Sequence, residues 1–139
     1  MQDIRTHLPH RPPLLLLDRI LEREPGVRVV AEKLVTYGDP ILQGHFPGRP
    51  LVPGVMLVEM LAQAAAFLEA EQLGDRPIFL AQILDARFKA SAFPGDRLEL
   101  SVKPDAGFGK LLRVEGSVSC EGRVLCTAKL LLAKGEVRS

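Results

Sequence analysis

Cysteine is scarce in this chain. Cys120 and Cys126 are the only two, in segments that alternate like strands, with no CxxC pair and no histidine-rich cluster. This pattern predicts two small buried thiols in a reducing cytosol and speaks against a disulfide scaffold or a zinc site. An excess of one charge is equally lacking. Eighteen lysines and arginines stand against 17 acidic residues, a net charge of +1, whereas a dedicated nucleic-acid binder needs a basic stripe to neutralise phosphates. The first residues hold no positively charged stretch leading into an apolar one, so no secretory leader is expected. An unbroken apolar run is missing too. Residues 51–68 come nearest, but Pro53, Gly54, Glu59 and Gln63 interrupt them, and a carboxylate near the middle of a spanning helix is costly. A helix buried inside a soluble fold explains the stretch better.

What is present is the composition of one globular domain over 1–139, with 47% hydrophobic and 25% charged residues, long enough for a real core. Residues 3–8 predict a short amphipathic helix stopped at Pro9. Residues 14–24 and 27–36 predict two strands joined by Pro25-Gly26 turn chemistry. Residues 37–53 hold four prolines and three glycines, and a connection of that length in a compact domain is usually functional. Residues 54–73 predict a helix with Gly74 as its C-terminal cap. Its first three turns have no polar face, so protein must enclose it on most sides.

The remainder reads as strands. Residues 77–91 form one, followed by the alternations of Leu98, Leu100 and Val102, of Leu112, Val114, Val118 and Cys120, and of Val124, Cys126, Ala128, Leu130 and Leu132. Glu121-Gly122 supplies a tight turn, and Gly107-Phe108-Gly109 another between strands. A hairpin, a long buried helix and a meander of strands predict an α+β fold, an antiparallel sheet wrapped around one central helix.

Two residues stand out chemically. His45 lies in Gly44-His45-Phe46-Pro47-Gly48-Arg49-Pro50, where proline and glycine hold a side chain in place. An imidazole with an ordinary pKa of about 6.5 is available as a base at pH 7. A solvated loop histidine is the plainer reading of His45 alone. Glu59 sits inside the apolar helix, and desolvation there favours the protonated acid, which can donate a proton. Gln63, four residues on, shares its face. A Glu paired with an arginine, or turned to solvent, is the structural alternative. The helix start at Gly54 and Val55 offers backbone N–H groups that suit a developing oxyanion. His7 and His10 read as surface or packing residues. Ser91, Ser101 and Ser119 lack a nucleophile-elbow setting.

With these residues in place the chain resembles the FabZ-type (3R)-hydroxyacyl-[acyl-carrier-protein] dehydratases of the hotdog-fold superfamily, over nearly its full length. The resemblance runs through Leu8-Pro9-His10-Arg11, Leu17-Asp18-Arg19, Gly44-His45-Phe46-Pro47-Gly48, Pro53-Gly54-Val55, Glu59, Ala62-Gln63, Ala86-Arg87-Phe88-Lys89 and Pro94-Gly95-Asp96. Glu59, rather than Asp, at the acidic position is similar to the FabZ-type branch and not to the isomerising FabA-type branch. The resemblance implies that His45 and Glu59 are the catalytic base and acid, brought together from opposite subunits of a homodimer that can grow to a trimer of dimers. It implies that Gly54 holds the thioester carbonyl and Gln63 orients Glu59, with Val55 and Phe46 among the substrate-binding positions. Neither metal nor organic cofactor is required. The implied partner is acyl carrier protein, acidic and bearing the acyl chain on phosphopantetheine, with Arg49, Arg87, Lys89 and Arg97 as docking candidates. Ile41-Leu42, Pro12, Leu14 and Gln82 depart from the usual residues of the family and bear on the shape of the acyl tunnel. A hotdog acyl thioesterase and a non-catalytic acyl-thioester-binding domain are the rival readings. The first would release free thiol, and the second would bind without turnover.

Overall fold

A computed structural model of the chain describes residues 5, 8, 15–42, 48, 50–69, 78–108 and 111–135. Strands β1 (Arg19–Glu24) and β2 (Arg28–Leu34) form a hairpin, and a 3-10 turn covers Pro40–Leu42. Helix α1 (Gly54–Ala65) follows, extended by a 3-10 turn over Ala66–Leu68. Strands β3 (Ile78–Phe88), β4 (Arg97–Phe108), β5 (Leu111–Cys120) and β6 (Arg123–Lys134) complete one antiparallel sheet of order β1-β2-β4-β5-β6-β3. The β4-β5-β6 meander agrees with the sequence reading. Strand β3 does not begin that series in space: the chain crosses over, pairing β3 with β6 at the far edge and setting β4 beside β2.

The inner face of the sheet carries the residues that the alternation picked out. Leu98, Leu100, Val102, Val114, Val118, Ala128, Leu130 and Leu132 are buried, and Phe67, Met60 and Leu61 of the helical segment are fully enclosed against the sheet side. Each such large side chain contributes about 1.5–3 kcal/mol on burial. The Glu121-Gly122 turn needs two left-handed residues, and φ is 51° at Glu121 and 81° at Gly122, which matches the twist of a two-residue hairpin. One part of the alternation fails. Val124 is exposed, while Leu125 and Cys126 are both buried. The register shifts there, Ser119 pairing with Val124 and Val118 with Cys126, so Leu125 bulges. Its carbonyl accepts from both Lys89 N (2.8 Å) and Ala90 N (3.2 Å).

Two element boundaries also differ from expectation. The first strand starts at Arg19, not residue 14, because the Leu16 amide is turned inward to the Gln63 side chain. The α-helix ends at Ala65, and Glu69 is already extended (φ −73°, ψ 136°); Gly74 lies outside the described residues, as does nearly all of the expected helix over 3–8. Other groups take over the cap. The Arg23 guanidinium donates to Phe67 O at 2.8 Å and to Glu69 O, and stacks over the Phe67 ring at 5.9 Å. The Gly26 amide donates to Leu68 O at 2.8 Å. The β1–β2 hairpin thus closes the end of the helical segment, supplying the donors its last carbonyls require. Among the described residues no helix is long and apolar enough to cross a membrane.

On the outer face Glu32 is almost fully buried under Arg19 and Arg97, with Arg19 Nε 3.1 Å from its carboxylate. Burial pushes the Glu32 pKa up, but hydrogen bonds and positive charge from Arg19 and Arg97 outweigh it and hold the carboxyl below its ordinary value of 4.5. A depressed native pKa stabilises the fold above the unfolded-state value, and that stabilisation is lost as pH falls through the native one. Urea unfolding of the wild type should therefore lose free energy below about pH 4.5, and Glu32→Gln should flatten that acid limb. Arg23→Met should lower stability by about 1–3 kcal/mol through the carbonyls it strands, read as a shift in urea midpoint.

Candidate active site

Val55 and Glu59 lie on the least covered face of α1. Val55 is 67% exposed and Glu59 is half-buried, whereas Leu57, Val58 and residues 60–68 are buried. Gln63 is 1% exposed. Its Oε1 accepts from Leu16 N at 2.9 Å and its Nε2 donates to Glu59 Oε1 at 3.1 Å. The Leu16 N–H can only donate, so it fixes which way the carboxamide points, and the NH₂ group must face Glu59. Glu59 Oε1 is then an acceptor, and a proton carried by this carboxyl belongs on Oε2. The expected pairing of Gln63 with Glu59 is present, with a backbone anchor that the sequence did not signal.

A cavity of about 200 Å³ opens beside this pair, where Glu59, Ala62, Gln63 and Ala66 face Ile78 and Phe79 at the start of β3. A second concavity of about 370 Å³ lies at the other end of the helix, bounded by Leu51, Gly54, Val55, Phe88 and Ala90. The helix therefore runs antiparallel to β3, its acid near the first residues of the strand and its N-terminus near the last. No side chain caps that N-terminus, where Pro53 is the capping residue. A roomier trough of about 420 Å³ crosses the outer face of the sheet. Its Glu115 is already flanked by Lys103 (3.9 Å) and Lys129 (3.8 Å), and none of the candidate catalytic or substrate-binding residues lines it.

His45, Phe46 and Arg49 lie outside the described residues. The segments on either side are anchored: Leu42 and Val52 are buried, and Val52 N donates to Ala92 O at 2.9 Å. Asp39 holds the 3-10 turn before the histidine segment and is paired in the interior with Lys33 at 2.8 Å. That pair was missed, because two oppositely charged residues six apart across a turn carry no periodic signal. Among the docking candidates, exposed Arg87 pairs with Asp85 at 3.2 Å, and Lys89 is exposed with no ion pair among the described residues. Arg97 pairs with Glu32, with β5 and β6 between its strand and β3. Among the described residues no cluster of three or more His, Cys, Asp or Glu could hold a metal.

A sheet of this order wrapped around one buried helix is the hotdog fold. The solved dehydratase heterocomplex ApeI:P from Xenorhabdus doucetiae superposes with a TM-score of 0.83 at 22% identity, over 98% of this chain and 93% of that one. The FabA-like domain profile matches residues 8–129. The 3-hydroxyacyl-[acyl-carrier-protein] dehydratase FabZ of Roseiflexus sp. (strain RS-1) is 47% identical, covering 90% of this chain and 93% of the relative. The protein of the same description from Anaeromyxobacter sp. (strain K) is 44% identical, covering 92% and 85%. The chain belongs to the FabA-like family, in its FabZ-type dehydratase branch.

Gln63→Leu should strand the Leu16 amide and release Glu59 together. A cost of about 1–3 kcal/mol in stability is expected, measured by urea unfolding, with exchange protection lost selectively at the Leu16 amide.

Proposed function

We propose that this chain dehydrates (3R)-3-hydroxyacyl thioesters carried on acyl carrier protein to trans-2-enoyl thioesters, a step of fatty-acid biosynthesis in the cytoplasm, as one domain over 1–139. The observation that carries the reading is Glu59, anchored by Gln63 beside a cavity at the start of β3, in a chain 44–47% identical to relatives named for this reaction. His45 takes the C2 proton, and the thioester carbonyl collects the developing charge under the Gly54 amide. The electron pair then closes the C2–C3 double bond as Glu59 Oε2 gives its proton to the departing C3 hydroxyl, which leaves as water. The enzyme ends with a protonated His45 and an ionised Glu59, and exchange with solvent resets both. Val55, Phe46 and Gln63 shape the site, and Arg49, Arg87 and Lys89 offer positive charge to an acidic carrier.

The site is assembled from two protomers. Strand β3 is an edge, yet Phe79, Leu80, Ile83, Leu84 and Phe88 are all exposed along it. A long apolar edge in this state is normally covered. A second copy pairing antiparallel about Ile83, the midpoint of β3, brings the Phe88 end of one strand beside the Ile78 end of the other. The Gly54 concavity of one protomer then meets the Glu59 cavity of its partner. Association of three such dimers into a hexamer is the larger assembly we propose.

Complementation tests the reaction and the shared site together. His45→Ala and Glu59→Gln should each lose about 10²–10⁴-fold in turnover, measured by mass loss of water from 3-hydroxyacyl-carrier-protein substrates. Co-refolded, the two inactive proteins should regain activity, because each mixed dimer contains one intact site. Absence of recovery in a confirmed mixed dimer would place both groups within one chain. Thiol release without enoyl product would replace the dehydratase reading with hydrolysis.

A further inference from the structure

Gly54 is expected to be glycine so that a thioester carbonyl can approach its amide. The structure puts a different group in the space left by the missing side chain. A Cβ built on Gly54 would lie 2.9 Å from both Cδ1 and Cε1 of Phe88, closer than real side-chain carbons approach. The ring therefore lies against the first residue of the helix. The backbone that carries it is held just beyond Phe88, where Lys89 N and Ala90 N share the Leu125 carbonyl. The Val52 N to Ala92 O bond (2.9 Å) ties the approach to the helix to this same stretch. Phe88 lies at the end of the edge strand, 53% exposed in one protomer, where the second copy proposed above would close over it.

We propose that Phe88 is a positioning residue of this site: its ring fills the space left open by Gly54, fixes the start of α1 against the end of β3, and shields the Gly54 amide from water. The inference rests on the dehydratase reading above. Shielding matters because a donor in a water-excluded site stabilises developing charge far more than one that solvent also reaches.

The test is a double-mutant cycle on the full-length protein, with carbonyl spectroscopy as a second readout. Phe88→Ala should lower kcat by about 10–100-fold with little change in KM, as loss of a transition-state interaction does. Gly54→Ala should cost more than about 100-fold in the wild-type background but under about tenfold beside Phe88→Ala, where the ring no longer collides. The infrared carbonyl stretch of a bound trans-2-enoyl pantetheine thioester should be red-shifted on the wild type and return toward its solution value with Phe88→Ala. Phe88→Leu keeps the strand edge apolar and should move each readout the same way by less, which covers a truncation that releases the dimer. Equal costs of Gly54→Ala in both backgrounds, or an unchanged carbonyl frequency with Phe88→Ala, would overturn the role of Phe88 while leaving the reaction standing. Failure of the wild type to make enoyl product would sink the reaction itself.

Discussion

Helix α1 holds two polar side chains among twelve residues, and the architecture answers to that imbalance. An apolar cylinder must be closed off from water around most of its circumference, which requires a sheet long and curved enough to wrap it. Six strands do this, with bulges in β3 and β6 bending the sheet at its far edge. Once the helix is enclosed, Gln63 has no water to bond. A buried carboxamide left unpaired costs about 1–3 kcal/mol, so both of its ends must find partners within the protein. One finds the Leu16 amide and the other Glu59. Glu59 is thus held by a group whose own orientation the fold dictates.

The two ends of the helical segment are treated unequally. At the C-terminal end Arg23 and the Gly26 amide take up the carbonyls of Phe67, Leu68 and Glu69. At the N-terminal end Pro53 provides no side-chain cap. A fold that optimised only stability would place Ser, Thr, Asp or Asn there, worth about 1 kcal/mol. Leaving donors uncapped while the other end is fully satisfied is coherent if a ligand oxygen completes them, and Phe88 limits how much water can compete for that position.

Much of this was legible in the sequence, and the illegible parts share a cause. Alternation marked the inward face of β4 because each strand residue there meets the same neighbour type every second position. The start of the helix was legible from Pro53-Gly54, and the Gln63–Glu59 pair from its spacing of four along an apolar helix. The end of the helix was not, because its cap comes from Arg23 and Gly26, more than forty residues earlier in the chain. Likewise Val124 breaks the alternation because Leu125 bulges toward Lys89 and Ala90. The reason for glycine at position 54 lies in Phe88, thirty-four residues on. Periodicity reports what one element does alone, and each miss is a debt between elements.

Strand β3 is where those debts concentrate. Ile78 to Leu84 reads almost continuously apolar, a pattern belonging to strands covered on both faces. In one chain it is an exposed edge instead, with Phe79, Leu80, Ile83 and Leu84 open to solvent. The mismatch is resolved if the strand meets another strand, and its length sets the consequence. The Glu59 cavity lies at its first residues and the Gly54 concavity at its last, so an antiparallel partner centred on Ile83 superimposes one upon the other. Hiding the apolar edge and completing the site are then a single event. In such an arrangement a protomer that failed to associate would retain a positioned acid with nothing opposite it.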